Sequence, residues 1–282
     1  MDPTEIDLPR LEVAGLLRQS GLAPKKGLGQ NFLADPAALR TVVAAAEISP
    51  ESVVLEVGPG LGHLTRYLSR ASRRVVAVEL DGDLIPILQQ VLAGFPNVHV
   101  IQGDIMDLDP AELMGEPGYI VAANIPYYIT SVLIRHLLEA RYKPSRLALT
   151  VQREVAERIC ARPGDLSLLA LSVQVYGRPT VAARLPAGAF TPPPKVDSAV
   201  VRVDLYPEPV IPAGQLDVFF RLAKAGYSQK RKTLRNALSG GLRIEPSQAT
   251  ELLAQANIDP QRRAETVSLD EWAKLVNAWN QK

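Results

Sequence analysis

"SVVLEVGPGLGHLT", residues 52–65, is the stretch on which the fold turns. Its first half is a short apolar, β-branched run ending in glycine, the pattern of a strand buried in a parallel sheet. Its second half runs on into "GHLTRYLSR", which has helical spacing. Glycines stand at 58, 60 and 62, at the junction of the two. They let the backbone turn tightly and let a ligand approach without meeting a Cβ. In open α/β sheets ligands sit outside the carboxyl ends of the strands, where such turns lie. A dinucleotide fingerprint requires glycine at 63, and His63 is there instead. The G-P-G-x-G pattern therefore suits a small ligand and does not require a pyrophosphate.

The same alternation extends in both directions. Upstream, Asp35-Pro36 is an N-cap candidate with proline at the first helical position, and the helix continues through "AALRTVVAAAEI". Downstream, "RRVVAVEL" (73–80), "NVHVIQGD", "GYIVAAN" (118–124) and "RLALTVQ" read as strands. Between them lie "DLIPILQQVLAGF", helical despite Pro86, and a helix over about 130–140, with another helix starting near Arg153. Strands and helices alternating in this way predict a mostly parallel α/β sheet with helices on both faces. "RPTVAARL" and "SAVVRVDLY", separated by the proline-rich "PAGAFTPPPK", predict an antiparallel edge. "YPEPVIPAGQ" (206–215) reads as a linker, and amphipathic helical segments follow from Leu216. The expected organisation is an α/β domain over 1–205 with an N-terminal arm at 1–34, then a small α-helical domain over 206–282.

Bulk composition narrows the classes. With 47% hydrophobic and 22% charged residues, the 282-residue chain reads as a soluble globular protein. No apolar run approaches the roughly 20 residues that span a bilayer. The start, MDPTEIDLPR, carries Asp2, Glu5 and Asp7 and fits neither a signal nor a transit peptide, so the expected location is cytoplasmic. Cys160 is the single cysteine, which suits a reducing compartment, and it reads as a small buried hydrophobe. The three histidines, His63, His99 and His136, are scattered, so no metal is expected. No heptad pattern is present, and monomer is the default expectation.

Acids and an amide stand at successive strand ends. Glu79 lies about 20 residues past Gly58, the separation at which an acid grips ribose hydroxyls. Asp104 closes "HVIQGD" and can accept a hydrogen bond from a purine amino group. A glycine turn with two strand-end acids is similar to the S-adenosylmethionine site of Rossmann-like methyltransferases, and an acidic rim suits a cationic sulfonium. Asn124 ends the next strand and opens "NIPYYITS" (124–131). Pro126 steers Ile125 to an extended conformation. The Asn124 side-chain oxygen and a neighbouring main-chain carbonyl can then accept both hydrogens of an exocyclic amine, with Tyr127 stacked on the ring that bears it. Such stacking is worth roughly 1–3 kcal/mol. Adenine N6 is a poor nucleophile because its lone pair is delocalised; two acceptors that draw it toward tetrahedral geometry localise that pair.

On these residues the chain resembles the KsgA family of small-subunit (16S) ribosomal RNA adenine N6,N6-dimethyltransferases, from about residue 25 to the C-terminus. The resemblance is carried by "KKGLGQNFL" (25–33), "EVGPGLGHLT" (56–65), "QGDIM", "NIPYYIT", "VQREVAERI", "FTPPPKVDSAVVRV" (190–203) and "SQKRKTLRNAL" (228–238). It implies a Rossmann-like class I methyltransferase with S-adenosylmethionine as cofactor. It further implies that Asn31, Leu33, Gly58, Glu79, Asp104 and Asn124 line the cofactor site. Asn124 and Tyr127, with Phe190 nearby, would receive the target adenine. The implied substrate is a pair of adjacent adenosines in a hairpin near the 3′ end of 16S rRNA, in the small ribosomal subunit or its precursor. The family usually has Asn where this chain has Tyr128.

Net charge is only +1, so RNA binding must come from local patches. From Arg221 to Arg235 the chain has basic residues and no acid, among them Lys230, Arg231, Lys232 and Arg235, expected as phosphate contacts, with Tyr227 interleaved. Lys25 and Lys26 add to these beside the first motif. Trp272 and Trp279 read as core anchors. Two alternatives share the fold: a large-subunit (23S) RNA adenine N6-methyltransferase of the macrolide-resistance type, and a non-catalytic nucleic-acid-binding factor. The "PPPKVDSAVVRV" and "KRKTLRNAL" segments favour the small-subunit enzyme over the first. The intact glycine turn, both acids and NIPY argue against the second.

Overall fold

The apolar runs read above as strands become the centre of one sheet in the structure, a computed structural model that describes residues 6–229 and 231–281. Lys230 lies outside the described residues. In chain order, helix α1 (Val13–Gln19), the short strand β1 (Phe32–Leu33) and helix α2 (Pro36–Ala46) come first. Alternation then sets in with β2 (Val53–Val57), α3 (His63–Ala71), β3 (Arg74–Glu79), α4 (Ile85–Leu92), β4 (Val98–Gln102) and α5 (Pro110–Met114). It continues through β5 (Ile120–Asn124), α6 (Thr130–Glu139), β6 (Arg146–Gln152) and α7 (Arg153–Ile159). Helix α8 (Leu168–Gln174) precedes β7 (Gly177–Leu185), β8 (Phe190–Thr191) and β9 (Ser198–Leu205). Helices α9 (Leu216–Tyr227), α10 (Leu234–Leu242), α11 (Pro246–Gln255) and α12 (Leu269–Asn280) complete the chain.

Seven strands form one sheet in the order β4-β3-β2-β5-β6-β9-β7. Strands β4 through β6 run parallel, and β9 pairs antiparallel with β6. The antiparallel end of the sheet is therefore present, with β9 inserted between β6 and β7 and not itself at the edge. Every residue of β2 is buried, as a strand covered on both faces requires. Strand order reverses between β2 and β5, where consecutive crossovers leave to opposite sides. That switch point opens a crevice at the carboxyl ends of the strands.

The local signals behave as their chemistry dictates. Asp35 caps α2, its Oδ1 accepting from the Ala38 amide at 2.8 Å, with Pro36 in the first turn. Pro86 does not break α4 because it falls in the first turn, after a one-turn 3-10 segment at Gly82–Leu84. A second sheet of two very short strands pairs β1 antiparallel with β8, Leu33 opposite Phe190. Helix α1 was not anticipated from the sequence. Its arm is tied down by Arg66, which donates to the Pro9 carbonyl at 3.0 Å from both terminal nitrogens.

By internal packing the chain divides into two units. One runs through Ala156 and resumes over Thr180–Leu205; the other takes Glu157–Pro179 and the chain from Tyr206 onward. The sequence boundary at 205/206 assigned residues 157–179 to the α/β domain, whereas they pack with the C-terminal helices. Trp272 is a fully buried anchor of this second unit, its ring stacked with Tyr227 at 6.3 Å. Trp279 is half-buried, with the Arg221 guanidinium 5.0 Å from its ring. Among the described residues no helix is long and apolar enough to cross a membrane.

Candidate active site

The crevice at the switch point is a cleft enclosing about 1140 Å³ of empty space, its open mouth included. Its walls come from the 28–33 segment, the glycine turn after β2, the ends of β3 and β4, and Asn124–Ile129 after β5. Asn31, Leu33, Gly58, Glu79, Asp104, Asn124 and Tyr127 all line it. Asn31 and Asn124, 93 positions apart in sequence, are hydrogen-bonded here, where four parallel strands end on the same side.

The turn depends on glycine. Gly58 and Gly60 have φ of +70° and +59°, a region L-residues rarely adopt, and a Cβ on Gly60 would lie 3.0 Å from the Phe32 ring. Glu79 holds the turn in place: Oε2 accepts from the Gly60 amide at 2.9 Å and Oε1 from the Asp81 amide at 2.8 Å. Its carboxyl is 6% exposed, and burial raises its pKa while these backbone donors pull it back. Thus the acid expected to grip a ligand also clamps the loops on both sides of the strand end. Asp104 is similar, with Oδ1 accepting from the Met106 amide at 2.9 Å.

Asn124 is pinned from one side only. Its Nδ2 donates to the Asn31 carbonyl at 2.9 Å, which orients the amide. Among the described residues no donor takes up Oδ1, so that oxygen is the free acceptor. Pro126 is extended (φ −58°, ψ 131°) and Tyr127–Ile129 form a single 3-10 turn. The Tyr127 hydroxyl lies 2.6 Å from Ser198 Oγ, and burial raises its pKa, so the phenol stays protonated and its ring is held fast. Tyr128 differs from its neighbour: it is 61% exposed at the cleft wall, its ring beside Gly29.

Three sequence expectations meet a different environment. Phe190 is 2% exposed, packed in the core against α2 and α3, and does not line the cleft; pairing β8 with β1 turns its ring inward. Lys25 does not present a free cation. Its ammonium lies 2.6 Å from Asp81 and 2.7 Å from Asp83. Lys26, Arg231 and Lys232 are exposed, and Arg235 is half-buried with its Nε on Asn236. Cys160 is half-exposed, not buried, and burial still pushes its thiol up to about 11, which leaves it a poor nucleophile.

Glu56 is the residue that sequence reasoning passed over. It stands on β2 at the cleft, 1% exposed, and burial pushes its carboxyl up to about 8, with the Glu79 charge adding to the effect and the nearby Thr65 hydroxyl opposing it. Its Oε2 and Thr65 Oγ1 are buried without a hydrogen-bond partner. An acid inside an otherwise apolar strand was the available signal. His63, at the helix start, bonds the Leu11 carbonyl at 3.2 Å, and burial depresses its pKa to about 4.

The sheet order, the glycine turn at its switch point and the acid-and-amide strand ends together define a Rossmann-like class I methyltransferase. The family model for ribosomal RNA adenine dimethylase matches residues 22–281. A ribosomal RNA small subunit methyltransferase A from Dehalococcoides mccartyi is 48% identical over 256 residues, 90% of this chain and 88% of that protein. Its counterpart from Moorella thermoacetica is 42% identical over 271 residues, covering 92% and 94%. Among solved structures, a dimethyladenosine transferase from Plasmodium falciparum superposes with a TM-score of 0.75 at 25% identity, covering 89% and 98%. The 23S rRNA methyltransferase ErmE gives 0.71 at 29% identity, covering 89% and 100%. The chain belongs to the ribosomal RNA adenine dimethylase family.

Proposed function

We propose that this chain dimethylates N6 of two adjacent adenosines in a hairpin near the 3′ end of 16S rRNA, with S-adenosylmethionine as methyl donor, on the small ribosomal subunit or its precursor. The cleft suits that donor. Gly58 and Gly60 hold positive φ angles that side chains rarely adopt, a Cβ at Gly60 would also crowd the Phe32 ring, and Glu79 and Asp104 supply carboxylate oxygens at the cleft. When bound, S-adenosylmethionine supplies an electrophilic methyl group. Gly58, Glu79, Asp104, Asn31 and Leu33 would hold it, and Asn124 stands at the acceptor side.

The protein's own part is to prepare the amine. Asn124 Oδ1 and the Ile125 carbonyl accept the two N6 hydrogens and localise the nitrogen lone pair. Tyr127 stacks on the base, its ring fixed through Ser198. The target base must leave its helix for this contact to form. No strong general base is required, because the N6 proton can depart after transfer.

The helical region from residue 206 is assigned to RNA, with Arg231, Lys232 and Arg235 meeting phosphates; Lys230 belongs to the same basic run by sequence. The observation that carries the reading is the Asn124 amide, pinned through Nδ2 with Oδ1 left open beside Tyr127. Asn124→Ala should abolish methyl transfer to undermethylated small subunits while leaving RNA affinity within about twofold. A fully active variant refutes the amine contact. The greater identity to small-subunit enzymes than to ErmE favours the small-subunit target. We infer a monomer in the cytoplasm.

A further inference from the structure

The 25–31 segment lies along the cleft wall, yet little of its own structure holds it there. It consists of a three-residue 3-10 turn, Lys26–Leu28, followed by Gly29 in the left-handed region at φ +63°. Its internal backbone hydrogen bonds run from Leu28 and Gly29 back to Lys25 and Lys26, with a long one from Gln30, and Asn31 Nδ2 donates to the Gly29 carbonyl at 3.1 Å. Its position is set by neighbours on two sides. On one side Asp81, 5% exposed, accepts from Lys25 Nζ at 2.6 Å through Oδ1 and from Gln30 Nε2 at 2.7 Å through Oδ2. Lys25 Nζ also reaches Asp83 Oδ2 at 2.7 Å, and the Lys25 amide donates to Gln30 Oε1 at 2.7 Å. On the other side the Asn31 carbonyl accepts from Asn124, and Pro126 and the Tyr128 ring pack beside Gly29.

We propose that Lys25, Gln30, Asp81 and Asp83 form a latch that fastens this strap to the loop after β3, so that Lys25 is a positioning residue for the methyl donor and not an RNA contact. The inference rests on the cofactor reading of the cleft given above. Asp81 belongs to the loop whose amide Glu79 holds, so the latch joins the strap to the loop that shapes the carboxylate side of the cleft. It also sets where the Asn31 carbonyl lies, and through it the Asn124 amide. A lysine whose ammonium already serves two carboxylates has little left for phosphate.

The test compares full-length wild type, Lys25→Ala, Gln30→Ala and Lys25→Arg. Binding of S-adenosylmethionine is measured by calorimetry, and amide hydrogen exchange over residues 26–31 is followed without it. The salt dependence of RNA affinity is measured in parallel. The expected result is a Kd raised at least fivefold in both alanine variants, faster exchange in the strap and an unchanged salt slope. Lys25→Arg, which restores the cation, should return Kd to within twofold of wild type. A Lys25→Ala Kd within twofold of wild type overturns the latch. So does a salt slope shallower by about one with Kd unchanged, which makes Lys25 a phosphate contact. If wild type itself fails to bind S-adenosylmethionine, the functional reading falls as well; if wild type binds and Lys25→Ala binds equally, only the latch falls.

Discussion

Glu56→Gln should abolish a pH dependence that the buried carboxyl imposes on stability. Glu56 is 1% exposed, and burial carries its pKa from 4.5 to about 8. Between those values the folded chain keeps a proton that the unfolded chain has released. Stability therefore falls as pH rises from 4.5 and levels off above about 8. At about 1.4 kcal/mol per pH unit the whole interval amounts to about 5 kcal/mol, an upper figure, with about half already lost near pH 6. Glutamine matches the neutral acid in shape and cannot ionise, so its only other effect is a constant offset. The difference between variant and wild type should climb by about 1.4 kcal/mol per unit between pH 5 and 8 and be flat above. Both tryptophans lie in the C-terminal unit, so their fluorescence does not report on β2. Urea unfolding should instead be followed by backbone circular dichroism, or by amide exchange in β2 and β5, on the protein without donor. Parallel stability curves for the two proteins would refute the reasoning, because Glu56 would then be ionised in the fold at no cost.

Two further outcomes separate roles within the site and the helical region. Tyr127→Phe keeps the ring but strips the fully buried Ser198 hydroxyl of its partner, so thermal or urea unfolding should register a loss of about 1–2 kcal/mol while the methylation rate changes less than about threefold. A rate collapse in Tyr127→Phe would assign the hydroxyl to the chemistry. Replacing Arg231 and Lys232 together with glutamine should weaken RNA binding about equally across sequences and lower its salt slope by about 1–2, as read from titrations at several salt concentrations. An unchanged slope removes both from the phosphate contacts.

Much of this was legible in the chain because it follows from local rules. Positive-φ glycines between an apolar run and a helical one leave few options other than a strand-turn-helix unit, and Asp35-Pro36 announces α2. The strand-end positions of Glu79, Asp104 and Asn124 followed from the same count, and all three line one cleft. What sequence could not supply is pairing at a distance. Phe190 sits beside a motif in sequence, yet its direction is fixed by pairing with Leu33, a contact between two strands of two residues each. Lys25 looks like any basic residue until Asp81 and Asp83, more than fifty positions away, are brought under it. Residues 157–179 join the C-terminal helices through packing that no local pattern marks. Glu56 was passed over because the neighbouring glycine turn accounted for the stretch without it.

The central claim is tested most directly by methyl transfer from labelled S-adenosylmethionine to small ribosomal subunits lacking the modification, with the product RNA digested and its nucleosides identified. The account requires label in N6,N6-dimethyladenosine at two adjacent positions near the 3′ end of 16S rRNA, and none after Asn124→Ala. Label confined to 23S rRNA, or donor binding with no transfer to either RNA, would contradict it.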